Sequence, residues 1–167
     1  MSWSHIENNR NLRCAAEKGD YNQVIRLLDS GADISSKDKL GRTALLLAAE
    51  CGNVDIVSSL IGRGADVNEK CSFGWTSLMY ASQNGHSKVI KLLLQKGANI
   101  HEKDNHGWTA LIFAAHNGRE QVLEILLQHG ARVDVTDIDN KDALFHATRN
   151  GHTEVARTLA NYKVNKL

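Results

Sequence analysis

"GWTSLMYASQNGHSKVIKLLLQKGANIH" (Gly74–His101) and "GWTALIFAAHNGREQVLEILLQHGARVD" (Gly107–Asp134) are two versions of one pattern, offset by 33 residues. The offset holds over the whole chain. A Gly-Ala pair recurs at Gly31, Gly64, Gly97 and Gly130, and a second glycine recurs at Gly19, Gly52, Gly85, Gly118 and Gly151. Leu12, Leu45, Leu78, Leu111 and Leu144 keep the same step, as do Ala15, Ala48, Ala81, Ala114 and Ala147. A fixed period of this length is the mark of a stacked repeat, in which no unit buries its apolar face alone.

One unit reads physically as follows. Thr43 is a helix cap, and Leu45, Ala48 and Ala49 form a buried stripe at helical spacing. Gly52 ends that helix in a left-handed conformation. A second helix carries Ile56, Val57, Leu60 and Ile61 on its apolar face, and Gly64 closes it. "ADVNEKCSFGW" then reads as a hairpin-like loop ending at Gly74. Small alanines on the first helix let units approach, and larger aliphatics on the second fill the layer between them. The first unit replaces the turn pattern with Asn8, Asn9, Arg10, Asn11 and Arg13, which suit a wet outer face. The last unit ends in "TLANYKVNKL" without another Gly-Ala pair. The chain therefore reads as a single domain over 1–167. It divides into an N-terminal cap (1–33), internal units 34–66, 67–99 and 100–132, and a truncated C-terminal cap (133–167).

Composition bounds what such a stack does. Hydrophobic residues make up 42% and charged residues 23%, which fits a globular protein. The net charge of +1 forecasts no bulk nucleic acid or anionic membrane as partner. No apolar run reaches the roughly 18 residues of a membrane span, and "MSWSHIENNR" lacks the apolar core of a signal peptide. Three cysteines without a Cys-x-x-Cys spacing favour a reducing, intracellular setting, cytoplasmic or nuclear. Cys14 falls at a core position of its helix, whereas Cys51 and Cys71 fall at exposed positions. Proline is absent, so turns rest on Gly, Asn and Asp.

The chemistry of sites is sparse. "GRGADV" lacks the third glycine of a dinucleotide fingerprint, and no Walker, His-Glu-x-x-His or Gly-x-Ser-x-Gly sequence occurs. His86 and His152 follow the turn glycine and are expected to serve the start of the second helix. His101, His106 and His116 could approach one another, but structural or solvated roles outweigh a metal site. No catalytic residue, metal or cofactor is expected.

The step of 33, with Gly-x-Thr-x-Leu-x-x-Ala, a turn glycine and Leu-Leu-x-x-Gly-Ala, resembles the ankyrin repeat over nearly the whole chain. The resemblance implies an all-α solenoid of helix-turn-helix-hairpin units, five in number including the two atypical caps. The usual Thr-Pro-Leu-His is replaced by "TALL", "TSLM", "TALI" and "DALF". Stability should then lean on packing, because the histidine network of that motif is missing. Asn140 stands for the hairpin glycine in the last unit, and Asp142 for the capping threonine.

The resemblance also implies a concave surface, made of hairpin tips and first helices, that binds another protein. By register it comprises Arg42, Phe73, Trp75, Tyr80, Gln83, Asn84, Asn105, His106, Trp108, Phe113, His116, Asn117 and Lys141. Trp75 and Trp108 share one register position and should be near neighbours, with Phe73 beside them. Large rings make strong anchors in interfaces, while packing or common descent of the repeats is the plainer reading. An alternative, of another class, is nucleotide or oligonucleotide binding. There Trp75 and Trp108 stack on bases while Lys70, Lys103 and Arg42 meet phosphate. Asn68, with His101 one unit on, matches the position hydroxylated in many ankyrin repeats. The protein is expected to be monomeric by itself.

Overall fold

A computed structural model describes residues 3–164; the chain ends within the expected caps, residues 1–2 and 165–167, lie outside the described residues. The described chain forms ten helices in five consecutive pairs. They are α1 (Trp3–Lys18), α2 (Tyr21–Asp29), α3 (Ala44–Glu50), α4 (Val54–Gly62), α5 (Ser77–Asn84), α6 (Ser87–Gln95), α7 (Ala110–His116), α8 (Glu120–Gln128), α9 (Ala143–Arg149) and α10 (Thr153–Val164). The odd-numbered helices pack in one row and the even-numbered helices in a second, each against its neighbour in chain order. This is the all-α repeat solenoid the period requires.

The two rows differ because their sequences do. Ala44–Ala49 and Ala110–Ala115 are buried along their whole length, since each first helix is enclosed by its own unit and both neighbours. Alanine permits that approach. The second helices bury one stripe each, Ile56, Val57 and Leu60 in α4 and Val122, Leu123 and Leu126 in α8. Fully burying each such aliphatic side chain contributes about 1.5–3 kcal/mol. The first helices of the three internal units and of the C-terminal cap start as the sequence predicts. Thr43, Thr76, Thr109 and Asp142 accept from the backbone N–H of Leu46, Met79, Ile112 and Phe145.

The hairpins are turns rather than strands; the one bridge among the described residues joins Thr136 and Asp142. Successive tips are tied by single backbone hydrogen bonds. Ser72 N donates to Leu40 O at 2.9 Å, Asn105 N to Phe73 O at 3.1 Å and Ile138 N to His106 O at 3.1 Å. Gly74 is needed here twice over. Its φ is +79°, and a Cβ would sit 2.6 Å from Asn105 Oδ1 of the next tip. Asn140 takes the same turn with φ 57°, and among the described residues no further tip stacks upon it. A side chain is therefore tolerated only at the last hairpin.

The expectation that His86 and His152 serve their own helix starts needs correction. His86 occupies the cap position of α6 but makes no capping bond there. Its Nε2 instead donates to Glu50 O of the preceding unit at 2.8 Å, and His152 Nε2 donates to His116 O at 3.0 Å. Asn53 and Arg119, at the same register position, reach back to Ala16 O and Gln83 O at 3.0 and 2.9 Å. So the units are not held by packing alone, because one side chain per boundary ties each unit to the last.

Candidate functional site

Three register positions build the hairpin face. Asp38, Cys71, Asp104 and Asp137 sit at the first, Arg42, Trp75, Trp108 and Lys141 four residues later, and Leu47, Tyr80, Phe113 and His146 nine residues later. Each aspartate folds its hairpin with one oxygen. Asp104 Oδ1 accepts from the N–H of His106 and Trp108, and Asp137 Oδ1 from Asp139 and Lys141. Asp38 Oδ1 does the same for Leu40 and Arg42. The second oxygen finds a different partner in each unit: Arg42 Nε for Asp38, Trp75 Nε1 for Asp104 and His146 Nε2 for Asp137. Burial works to raise the Asp137 carboxyl, yet Lys141 N–H, the His146 ring and Asp139 N–H hold it below its usual value.

Cys71 breaks the aspartate series. Its predicted exposure is wrong; it is 6% exposed, and the Tyr80 hydroxyl donates to its sulfur at 3.6 Å. Burial, with that contact, pushes the Tyr80 phenol well above its ordinary value. Cys14, expected in the core, is half-buried at the edge of a cleft, and Cys51 is exposed as predicted.

The rings form a continuous row. Trp75 lies 4.9 Å from Tyr80 and 4.5 Å from Phe113, centroid to centroid. Trp108 lies 5.0 Å from Phe113, 4.9 Å from His116 and 4.6 Å from His146. The two tryptophans are thus neighbours through Phe113, which stands between them. Phe73 joins less closely than expected. It is an exposed tip, 49% accessible, sharing only a shallow depression of about 270 Å³ with Trp75, Tyr80 and His106. A larger cleft of about 560 Å³ opens between the third and fourth hairpins, floored by Trp108, Phe113 and His146 and rimmed by Lys141, Arg149 and Asp139.

The remaining sequence-predicted residues divide by what they touch. Tyr80 and Phe113 are buried and form the floor. Asn84 and Asn117 donate to the carbonyls of Tyr80 and Phe113, four residues back, and Asn105 Nδ2 donates to Ser72 O. Gln83 is half-buried at the surface and its carbonyl takes Arg119. His106 is an exposed tip, and the Lys141 ammonium lies 4.5 Å over the Phe145 ring. His116 is half-buried. Burial, followed by the charge of His146, His152 and Arg149, lowers its pKa, and its Nδ1 accepts from Asn150 Nδ2 at 3.0 Å. Asn68 Oδ1 accepts from Asn99 N at 2.8 Å, and His101 is exposed. Asp104 and Asp137 were missing from the predicted set, although an aspartate three times in the same register was a signal for them.

Of the three cations invoked for phosphate, two are ion-paired and one is hydrogen-bonded to a backbone carbonyl. Lys70 pairs with Glu102 at 2.6 Å, Lys103 donates to Thr136 O at 3.0 Å, and Arg42 pairs with Asp38 and Glu50 at 2.9 and 3.6 Å. Among the described residues, no helix is long and apolar enough to cross a membrane.

A family model described as ankyrin repeats (3 copies) matches residues 12–104 and 98–167. No curated protein matches the chain.

Proposed function

The chain belongs to the ankyrin-repeat family, whose repeats generally mediate protein–protein interaction. From that premise we propose that it is a non-catalytic binding module holding another protein against its hairpin face. The observation that carries this reading is the aromatic row from Tyr80 through Trp75, Phe113 and Trp108 to His146. It underlies the exposed tips Phe73 and Ile138 and the open cleft between the last two hairpins. Preformed aromatic floors with exposed apolar tips anchor partners at low ordering cost. The five units, acting as one domain, hold these tips in fixed register. The unpaired cysteines fit an intracellular setting. Nucleotide stacking draws little support, because both tryptophans carry edge-on or tilted ring neighbours and two of the three cations meant for phosphate, Lys70 and Arg42, are ion-paired.

The test is capture from an extract of the source cells by immobilised protein. The double variant Phe73→Ser/His106→Ser changes only exposed tips and should lose the captured partner while circular dichroism is unchanged. Equal capture by the folded variant would count against the hairpin face.

A further inference from the structure

The opposite end of the hairpin face has another character. A second cleft, of about 760 Å³, lies between α1 and the first hairpin, floored by Leu47. Five cations line it, against the two carboxylates of Glu17 and Asp38. Two of the five are already matched, Lys37 by Glu69 at 2.5 Å and Arg42 by Asp38. The other three, Arg10, Arg13 and Lys39, make no ion pair among the described residues; Arg13 only donates to Ser36 Oγ. Arg10 and Lys39 are exposed. The chain as a whole carries a net charge of only +1, so this excess is local.

We propose that this cleft receives the acidic end of an extended peptide segment of the partner, with two or three carboxylates meeting Arg10, Arg13 and Lys39. The proposal rests on the hairpin face being the binding face. It adds the partner's chemistry and its polarity: carboxylates over the first hairpin, a large apolar side chain in the cleft between the third and fourth. Stacked units are about 8–10 Å apart, so the two clefts are separated by roughly 25–30 Å, a span that eight or nine extended residues cover. A nucleic acid fits less well. A phosphodiester strand needs cations that recur along its track. Here the register of Lys39 continues as Ser72, Asn105 and Ile138, and in the neighbouring register Lys37 and Lys70 are matched by Glu69 and Glu102, which leaves only Lys103 of that row without an ion pair among the described residues.

The probe is a labelled peptide of about twelve residues with three glutamates at one end and a phenylalanine at the other, made in both chain orders. Its controls are the same peptide with lysines for glutamates and an RNA strand of equal length. One order of the glutamate peptide should bind the intact chain, with affinity falling several-fold from about 50 to about 300 mM salt. Arg10→Glu/Lys39→Glu should weaken it by about tenfold or more, and the milder Arg10→Gln/Lys39→Gln by less, both folded by circular dichroism. Equal binding of the lysine peptide, tighter binding of RNA, no binding in either order, or indifference to charge reversal would each overturn the proposal. If the tip variant Phe73→Ser/His106→Ser still loses the native partner in any of those cases, the acidic partner falls and the hairpin face stands.

Discussion

The indole N–H of Trp75 donates to Asp104 Oδ2 at 3.0 Å, from one repeat unit to the hairpin of the next. Trp108 holds the same register one unit on, but its counterpart carboxylate, Asp137, is taken by His146 at 2.8 Å. The indole N–H of Trp108 has no hydrogen-bond partner among the described residues, and its ring lines the larger aromatic cleft. Two tryptophans with one sequence context therefore do different work. Both rings line the larger cleft, but the indole N–H of Trp75 joins units while that of Trp108 does not.

That difference is measurable. Trp75→Phe and Trp108→Phe lose the same ring area, but only the first leaves a buried carboxylate oxygen without its donor. Urea denaturation should place Trp75→Phe about 1–2 kcal/mol below Trp108→Phe. Partner binding should weaken more in Trp108→Phe. Equal stability of the two variants would mean that the bond to Asp104 is energetically silent.

Cys71 stands where Asp38, Asp104 and Asp137 each accept two backbone N–H bonds. A thiol is a weak acceptor. Cys71→Asp supplies the missing oxygen to the Phe73 and Trp75 positions, and the Tyr80 hydroxyl lies at the same nine-residue offset as His146 does from Asp137. The variant should gain about 1–2 kcal/mol in urea denaturation. A lowered thermal midpoint would show that the carboxylate finds no donors in that hairpin.

The frame of this molecule was legible because the period repeats it: caps, turn glycines and apolar stripes each recur in steps of 33. What the period hides is anything that crosses a boundary between units with unlike residues on its two sides. His86 reads locally as a cap, yet its ring binds Glu50 of the preceding unit. Trp75 reads as an exposed anchor, yet its partner lies 29 residues on. Cys71 reads as exposed because hairpin positions usually are; the bulky Tyr80 and Trp75, with which it packs, bury it. The basic cleft escaped notice for a related reason, since two of its three unmatched cations, Arg10 and Arg13, come from the cap, where the period is weakest.

Ser77 Oγ is a buried side-chain oxygen with no hydrogen-bond partner among the described residues. The other two internal units and the C-terminal cap have Ala44, Ala110 and Ala143 at this position, all buried. Ser77→Ala removes an unsatisfied hydroxyl without leaving a larger void. It should stabilise the protein by about 1 kcal/mol, read as a raised urea midpoint with unchanged slope. A loss of stability would reveal a partner for the hydroxyl.

His116 gives the fold a dependence on mild acid. Its folded-state pKa lies below the ordinary 6.5, through burial first and then through the neighbouring charges of His146, His152 and Arg149. In the unfolded chain the ring therefore binds a proton at pH values where the folded ring does not. The stabilisation is complete above the unfolded value and is lost as pH falls through the lowered one. Protonation would also end the acceptance of Asn150 Nδ2 at Nδ1, which requires a free lone pair. The thermal midpoint should drop between about pH 7.5 and about pH 5.5. His116→Gln, which places at this register the residue type of Gln83, should flatten that drop. If the variant loses stability over the same interval by the same amount as the parent, the acid sensitivity belongs to another group.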